Sequence, residues 1–141
     1  MKIIIRISIA IFLITTLNTK AQYSTKYKEF NVGLHIDSDD DLVFPGVSFL
    51  WGKTTYFSNN LLLDYEYGFA LPTLVTGKIG LGIGNSNNTV ALGFRPFPTS
   101  GYLQYTNKEK HLFSIEIMTK SIDGSEYYDG DEIIINYGYR W

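Results

Sequence analysis

The sequence predicts an all-β fold, an antiparallel up-and-down β-barrel of about eight strands that spans a membrane. Large apolar residues recur at every second position over many short stretches, which is the period of a β-strand. The 141 residues are 16% aromatic but only 18% charged, below the roughly 25% typical of soluble domains. In each strong stretch one face is large and apolar, whereas the other is small, polar or charged. A lipid-facing barrel with a polar interior has this pattern.

Residues 1–21 are predicted to be a cleaved signal peptide. Lys2 and Arg6 open the chain, residues 7–17 carry no charge, and Ala21 stands where cleavage is expected. The uncharged run is shorter than the ~20 residues of a spanning helix. We therefore expect residues 22–141 to form a single barrel domain. The sequence contains no Cys, which excludes disulfides, zinc–thiolate sites and thiol catalysis.

The clearest strand covers residues 61–71. Leu61, Leu63, Tyr65, Tyr67 and neighbouring odd-numbered positions share one face over a length that suits a transmembrane strand. Turn residues such as Asn, Asp, Gly and Pro separate the alternating stretches. The eight predicted strands lie within residues 30–36, 47–52, 61–71, 75–84, 90–95, 102–105, 113–118 and 133–141.

Six charged residues fall on the small faces of the predicted strands. They are Asp64, Glu66, Lys78, Arg95, Glu116 and Arg140. Three acids and three bases could pair inside a narrow polar lumen, and we expect a lumen charge network in which Lys78 neighbours Asp64 and Glu66, and Arg140 neighbours Glu116. A soluble barrel would instead place the bulky apolar face inside and all six charges in water.

The end of the chain carries a family resemblance. Alternating large residues lead to a terminal aromatic, and the positions concerned are Ile133, Ile135, Tyr137, Tyr139 and Trp141. Here the sequence resembles bacterial outer-membrane β-barrel proteins of the small eight-stranded kind. In that family the last strand is an assembly signal read by the barrel-insertion machinery. The resemblance implies an outer-membrane location, with outer-membrane lipid and that machinery as partners.

Aromatic and basic residues collect at the predicted barrel end that holds both chain termini. The aromatic residues, expected to form a girdle at the membrane surface, are Tyr27, Trp51, Tyr56, Phe57, Tyr105, Phe113 and Trp141. The basic residues are Lys26, Lys53, Lys108 and Lys110.

Two acidic segments are predicted to lie side by side at the other rim, because the first and last strands of a closed barrel are neighbours. Candidate oxygen ligands of Ca²⁺ or Mg²⁺ there are Asp37, Asp39, Asp41, Asp129 and Asp131. The alternative is a pair of solvated turns, since acidic turns are common on surfaces.

No catalytic or cofactor site is predicted. The glycines of residues 80–84 lack the spacing and the following helix of a dinucleotide-binding motif. His111 is an odd number of residues from both Ser114 and Glu116, so these three cannot share one face of a strand. A net charge of −2 gives no sign of nucleic-acid binding.

The sequence favours a non-catalytic outer-membrane barrel with a structural or surface-interaction role. One alternative is a soluble exported barrel that binds a small apolar ligand, in the manner of lipocalins. The second alternative is an outer-membrane lipid-modifying enzyme.

Overall fold

Eight antiparallel strands close into one barrel in the computed structural model of the chain, which describes residues 21–37, 43–97, 99–118 and 132–141. Each strand pairs with the next along the chain, and the last pairs back with the first. The strands are β1 (Ala21–Asp37), β2 (Val43–Phe57), β3 (Leu61–Leu71), β4 (Leu74–Gly84), β5 (Asn88–Pro96), β6 (Thr99–Asn107), β7 (His111–Met118) and β8 (Glu132–Arg140). This architecture confirms the predicted all-β, eight-stranded barrel. The predicted signal peptide lies outside the described residues, except for Ala21, which begins β1.

The described residues include no helix of the length and apolarity needed to cross a membrane.

The register of the strands sets the width of the barrel. A path across paired residues that starts at Lys26 on β1 returns to β1 at Ile36, ten residues further along. The path runs through Lys53, Tyr65, Ile79, Phe94, Gly101, Ile117 and Ile133. For eight strands, a shift of ten residues corresponds to a strand tilt of about 40° and a backbone radius of about 8 Å. Side chains can fill an interior of this width.

The two faces of the sheet are inverted relative to a water-soluble barrel. Large apolar side chains point outward and remain exposed, for example Tyr67, Leu81 and Leu92, at 62%, 59% and 69% of their full accessible area. Buried positions are mostly polar or charged, as at Glu29, Asp64 and Lys78. The face assignment made from the alternation pattern therefore holds along the described strands.

Strands β1 and β2 extend further than the apolar pattern predicted. β1 has 17 residues and β2 has 15. At the end of the barrel where β1 begins and β8 ends, here called the terminal end, the start of β1 pairs with the end of β2 from Tyr23↔Tyr56 to Lys28↔Trp51. Their outward positions are mostly Ser, Thr and Lys, so the alternation continues without its apolar half and gives no hydrophobic signal.

Glycines on the inner face make room for tyrosine rings. A Cβ added at Gly52 would meet the ring of Tyr27, its partner across the β1–β2 pair. Cβ atoms added at Gly80 and Gly93 would both meet the ring of Tyr102. These notches let bulky side chains lie flat against the inner wall of a narrow barrel.

Candidate functional site

The barrel interior holds a chain of alternating charges, which begins with the guanidinium of Arg140 at the end of β8. Arg140 forms an ion pair with Glu29 of β1, its partner in the strand register. Its Nη2 atom also lies 3.0 Å from Asp64 Oδ2 and 3.6 Å from Glu66 Oε2, both on β3. One cation thus faces three carboxylates.

The chain of charges continues through Lys78 on β4. Its Nζ atom lies 3.6 Å from Glu66 Oε1 and 2.7 Å from Glu116 Oε1 on β7. Glu116 Oε1 also accepts a 3.0 Å hydrogen bond from Nη2 of Arg95 on β5. The sequence of charges is therefore Glu29, Arg140, Glu66, Lys78, Glu116 and Arg95, with Asp64 as a branch at Arg140.

Neutral side chains complete the coordination of the carboxylates. Tyr27 donates its hydroxyl to Asp64 Oδ1 at 2.9 Å, with Glu66 Oε2 at 3.2 Å, and Thr54 donates to Asp64 Oδ1 at 2.6 Å. Asn136 Nδ2 donates to Glu116 Oε1 at 2.9 Å. Weaker donors at 3.4 Å are Gln104 to Asp64 and Ser100 to Glu116.

Two tyrosine rings support the cations from the notches described above. The guanidinium of Arg140 lies 3.8 Å from the ring centroid of Tyr27, and Lys78 Nζ lies 5.3 Å from that of Tyr102. Such cation–π contacts stabilise a cation that has lost its water. The rings therefore fix the position of the charges and fill the space around them.

The network is sealed from solvent. Glu29 and Glu116 are 0% exposed, and Lys78 is 3% exposed. Ionised carboxylates buried to this degree require compensation by charges and hydrogen bonds, which the three cations and the surrounding donors supply. The arrangement can hold the strands together across the barrel, and it leaves the middle of the interior occupied by side chains.

All six lumen residues chosen from the sequence lie in this one network, but one predicted pairing is wrong. Glu116 bonds to Lys78 and Arg95, whereas Arg140 bonds to residues of β1 and β3. The register explains the difference, because Glu116 lies opposite Ile134, six residues or about 20 Å of backbone from Arg140.

The sequence reading missed several members of the network. Glu29 and Tyr27 precede the predicted start of the first strand, although both keep the parity of the inward-facing Asn31. The prediction that Tyr27 and Tyr56 belong to a surface girdle is wrong, since both side chains are buried in the interior. Extending the period-two pattern backward from Asn31 would have found Glu29 and Tyr27.

A second contact, between a half-buried histidine and a buried carboxylate, lies near the opposite end of the barrel. His35 Nε2 on β1 lies 2.6 Å from Glu132 Oε2 on β8. This pair was not predicted from the sequence, because it depends on the register between β1 and β8.

The other predicted residues are placed as follows. The assembly-signal positions Ile133, Ile135, Tyr137, Tyr139 and Trp141 are all exposed on the outer surface. Asp39, Asp41, Asp129 and Asp131 lie outside the described residues, as does the side chain of Asp37, whose backbone pairs with Glu132. In the described part of the chain, no group of three or more His, Asp or Glu residues could hold a metal ion. His111 faces outward and bonds Tyr137 OH at 2.8 Å, away from Ser114 and Glu116.

Comparisons with known proteins identify no relative in sequence. No protein-family model matches the chain, and no curated protein matches it. Among solved structures, a chain described under "De novo design of transmembrane beta-barrels" is similar at 14% identity with a TM-score of 0.37, covering 86% of this chain and 100% of that one.

Proposed function

We propose that this protein is a non-catalytic β-barrel of the bacterial outer membrane, with a closed lumen and a structural or surface-interaction role. The observation that carries the proposal is the distribution of side chains between the two faces of the barrel. Apolar side chains cover the outside, and seven charged residues form ion pairs with one another inside.

The outer surface has the dimensions of a membrane-spanning band. Strands β3 to β8 are between 8 and 11 residues long. At a tilt of about 40° they cover about 20–28 Å, against an apolar band of about 25 Å in transmembrane barrels. A water-soluble monomer rarely exposes contiguous apolar patches above a few hundred Å². Lipid is therefore the solvent that suits this surface.

The filled interior favours a role other than transport or ligand storage. A lipocalin-like carrier needs an apolar cavity, whereas the middle of this barrel is occupied by ion pairs and their hydrogen-bond donors. Bulk conduction needs an open channel, which barrels of eight strands do not usually provide. We infer that the protein acts through its outer surface and its two ends.

Export and assembly complete the proposal. The residues predicted as a signal peptide would bring the chain across the inner membrane, and the barrel-insertion machinery would read β8. Support comes from the outward orientation of the large residues of β8, including Tyr139, next to an exposed Trp141.

The test is to express the full chain in a Gram-negative host and to fractionate the cells. We expect the protein in the outer-membrane fraction, resistant to an alkaline wash, with different gel mobility before and after boiling. A variant lacking residues 1–21 serves as the control and should remain in the cytoplasm. Recovery of the full chain from the soluble periplasm would contradict the proposal. The folded protein should also give no steady conductance in a planar bilayer, and stable open-channel currents would overturn the closed lumen.

A further inference from the structure

A basic groove lies on the outer surface at the terminal end of the barrel. It crosses β1, β2 and β3 next to the end of β8, and its volume is about 500 Å³. We name it the lysine groove and define it by Lys26, Lys28, Lys53, Trp51, Tyr65 and Trp141. Gly52, Tyr67 and Tyr27 also line the groove. Of its lining residues Tyr27 belongs to the interior network, through its hydroxyl, whereas the three lysines do not.

The three lysines of the groove lie on one face of the sheet, where their like charges repel one another. Lys26 and Lys53 are direct cross-strand partners, and Lys28 follows two residues along the same face of β1. Like charges directly opposite each other destabilise a sheet. Among the described residues, no ion pair involves any of these three lysines. Three positively charged side chains therefore share this surface, and within the described ranges no Asp or Glu side chain forms an ion pair with them.

Aromatic rings mark this groove as part of a membrane boundary. Trp51 lies 6.4 Å from Tyr67 and 4.8 Å from Phe49, and Phe49 lies 5.8 Å from Trp141, measured between ring centroids. Trp and Tyr concentrate where the apolar core meets the headgroups. Toward the middle of the barrel the same faces of β1 and β2 become apolar, whereas toward their ends they carry Lys, Ser and Thr.

We propose that the lysine groove binds the phosphate of an anionic lipid headgroup in the leaflet at the terminal end of the barrel. The inference rests on the proposed membrane location. The three ammonium groups supply the charge complementarity, and their long aliphatic stems can reach the headgroup level from an apolar surface. The exposed ring of Tyr67, which lines the groove, and the half-buried ring of Phe49 next to Trp51 would contact the acyl chains. An acidic protein segment could pair with the three lysines, but it would not account for the apolar surface next to them.

The experiment uses Trp51 and Trp141, the two tryptophans of the chain, as reporters. The protein is folded into phosphatidylcholine vesicles that contain a small fraction of either brominated phosphatidylglycerol or brominated phosphatidylcholine. Bromine quenches tryptophan emission at contact, so the difference in quenching measures enrichment of the anionic lipid at the groove. We expect stronger quenching by the brominated anionic lipid at equal mole fraction.

The matched variants are Lys26→Gln with Lys53→Gln, and Lys108→Gln with Lys110→Gln. Both pairs remove two positive charges from the barrel surface, where Lys53 is half-buried and the other three lysines are exposed, and Lys108 and Lys110 lie in a turn at the same end of the barrel. In the first variant the relative affinity for the anionic lipid should fall by about 25-fold, about fivefold for each lysine. In the second variant the preference should persist.

The outcomes separate the two proposals. Equal quenching by both brominated lipids in the unsubstituted protein would overturn the lipid site but leave the membrane location standing. An equal loss in both variants would also overturn it, because a general charge effect would then suffice. Displacement of the lipid by soluble glycerophosphate at the same concentration would show that a free phosphate is the ligand and would refute the lipid assignment. Absence of quenching by either lipid would contradict the membrane location itself.

Discussion

At the scale of residues, the interior network contains carboxylates that each contact two cations. Glu66 contacts both Arg140 and Lys78, and Glu116 contacts both Lys78 and Arg95. Each of these carboxylates bridges two cations, so the removal of one side chain leaves its former partners buried with too little compensation. A buried pair need not stabilise a fold more than apolar residues would, but breaking one is costly. The network is therefore best tested by paired substitutions.

The contact between Lys78 and Glu116 should show strong coupling. We expect Lys78→Ala and Glu116→Ala each to lower the free energy of unfolding by about 3–5 kcal/mol, because each leaves an unbalanced buried charge. The double variant should lose less than the sum, with a coupling energy of about 1–3 kcal/mol. Urea unfolding of the protein in detergent micelles measures all three values.

The pair Glu116 and Arg140 provides the control. These residues were paired by sequence reasoning, but in the structure Glu66 and Lys78 lie between them. Their coupling energy should be smaller than that of Lys78 with Glu116. A larger value for Glu116 with Arg140 would show that the connections of the network are assigned incorrectly.

At the scale of elements, features that depend on neighbouring residues could be predicted from the sequence, whereas contacts between distant strands could not. Period-two alternation is a property of neighbouring residues, so it located all eight strands and the inward face of Asp64, Lys78 and Arg95. Pairing across the barrel depends on register, which no local pattern records, and this is why Glu116 was matched to the wrong cation. The start of β1 was missed because its outward residues are polar.

The packing of Tyr102 against β4 and β5 requires glycine at positions 80 and 93, where a Cβ atom would meet its ring. Gly93→Ala would press a methyl group against the Tyr102 ring and the carbonyl oxygen of Ile79, and we expect a loss of about 1–3 kcal/mol. The matched control is Gly101→Ala on β6, where an added Cβ has only one neighbour, at 4.0 Å. This second change should be neutral or slightly stabilising. If urea unfolding shows the same change in free energy for both variants, the fit of the Tyr102 ring against Gly93 does not contribute to stability.

The end of β8 should control assembly. Trp141 packs 5.8 Å from Phe49 and 6.3 Å from Tyr139, and its backbone exchanges two 3.0 Å hydrogen bonds with Lys28. Trp141→Lys keeps those backbone bonds but removes the ring contacts with Phe49 and Tyr139. We expect less inserted barrel with unchanged export, measured by pulse-labelling and fractionation. Trp141→Phe, which preserves an aromatic ring, should restore insertion. Equal insertion of the Lys variant and the unsubstituted chain would argue against an assembly role.

At the scale of the whole molecule, the fold requires two different environments. Its interior pairs four carboxylates with three cations. Its outer surface carries apolar rows such as Leu92, Leu103, Ile115, Ile135 and Leu34, which are cross-strand neighbours from β5 to β1. In water this surface would drive association between copies. In a bilayer the same surface stabilises the monomer, because it meets hydrocarbon. The proposed membrane location thus rests on the placement of charged side chains inside the barrel and apolar side chains outside it.

A lysine scan of the outer surface tests that location directly. Leu103 is 51% exposed in the middle of β6, between Leu92 and Ile115. If it faces hydrocarbon, Leu103→Lys should lower the free energy of unfolding from lipid vesicles by about 2–4 kcal/mol, since a charge at the bilayer centre loses its hydration. Gln22→Lys adds the same charge near the start of β1, at the boundary, where the cost should be about 0–1 kcal/mol. In a water-soluble barrel the exposed Leu103→Lys change would be close to neutral, as most surface substitutions are. Equal values for the two variants would therefore refute the membrane-spanning assignment, whereas a difference that grows with depth would locate the bilayer on the barrel.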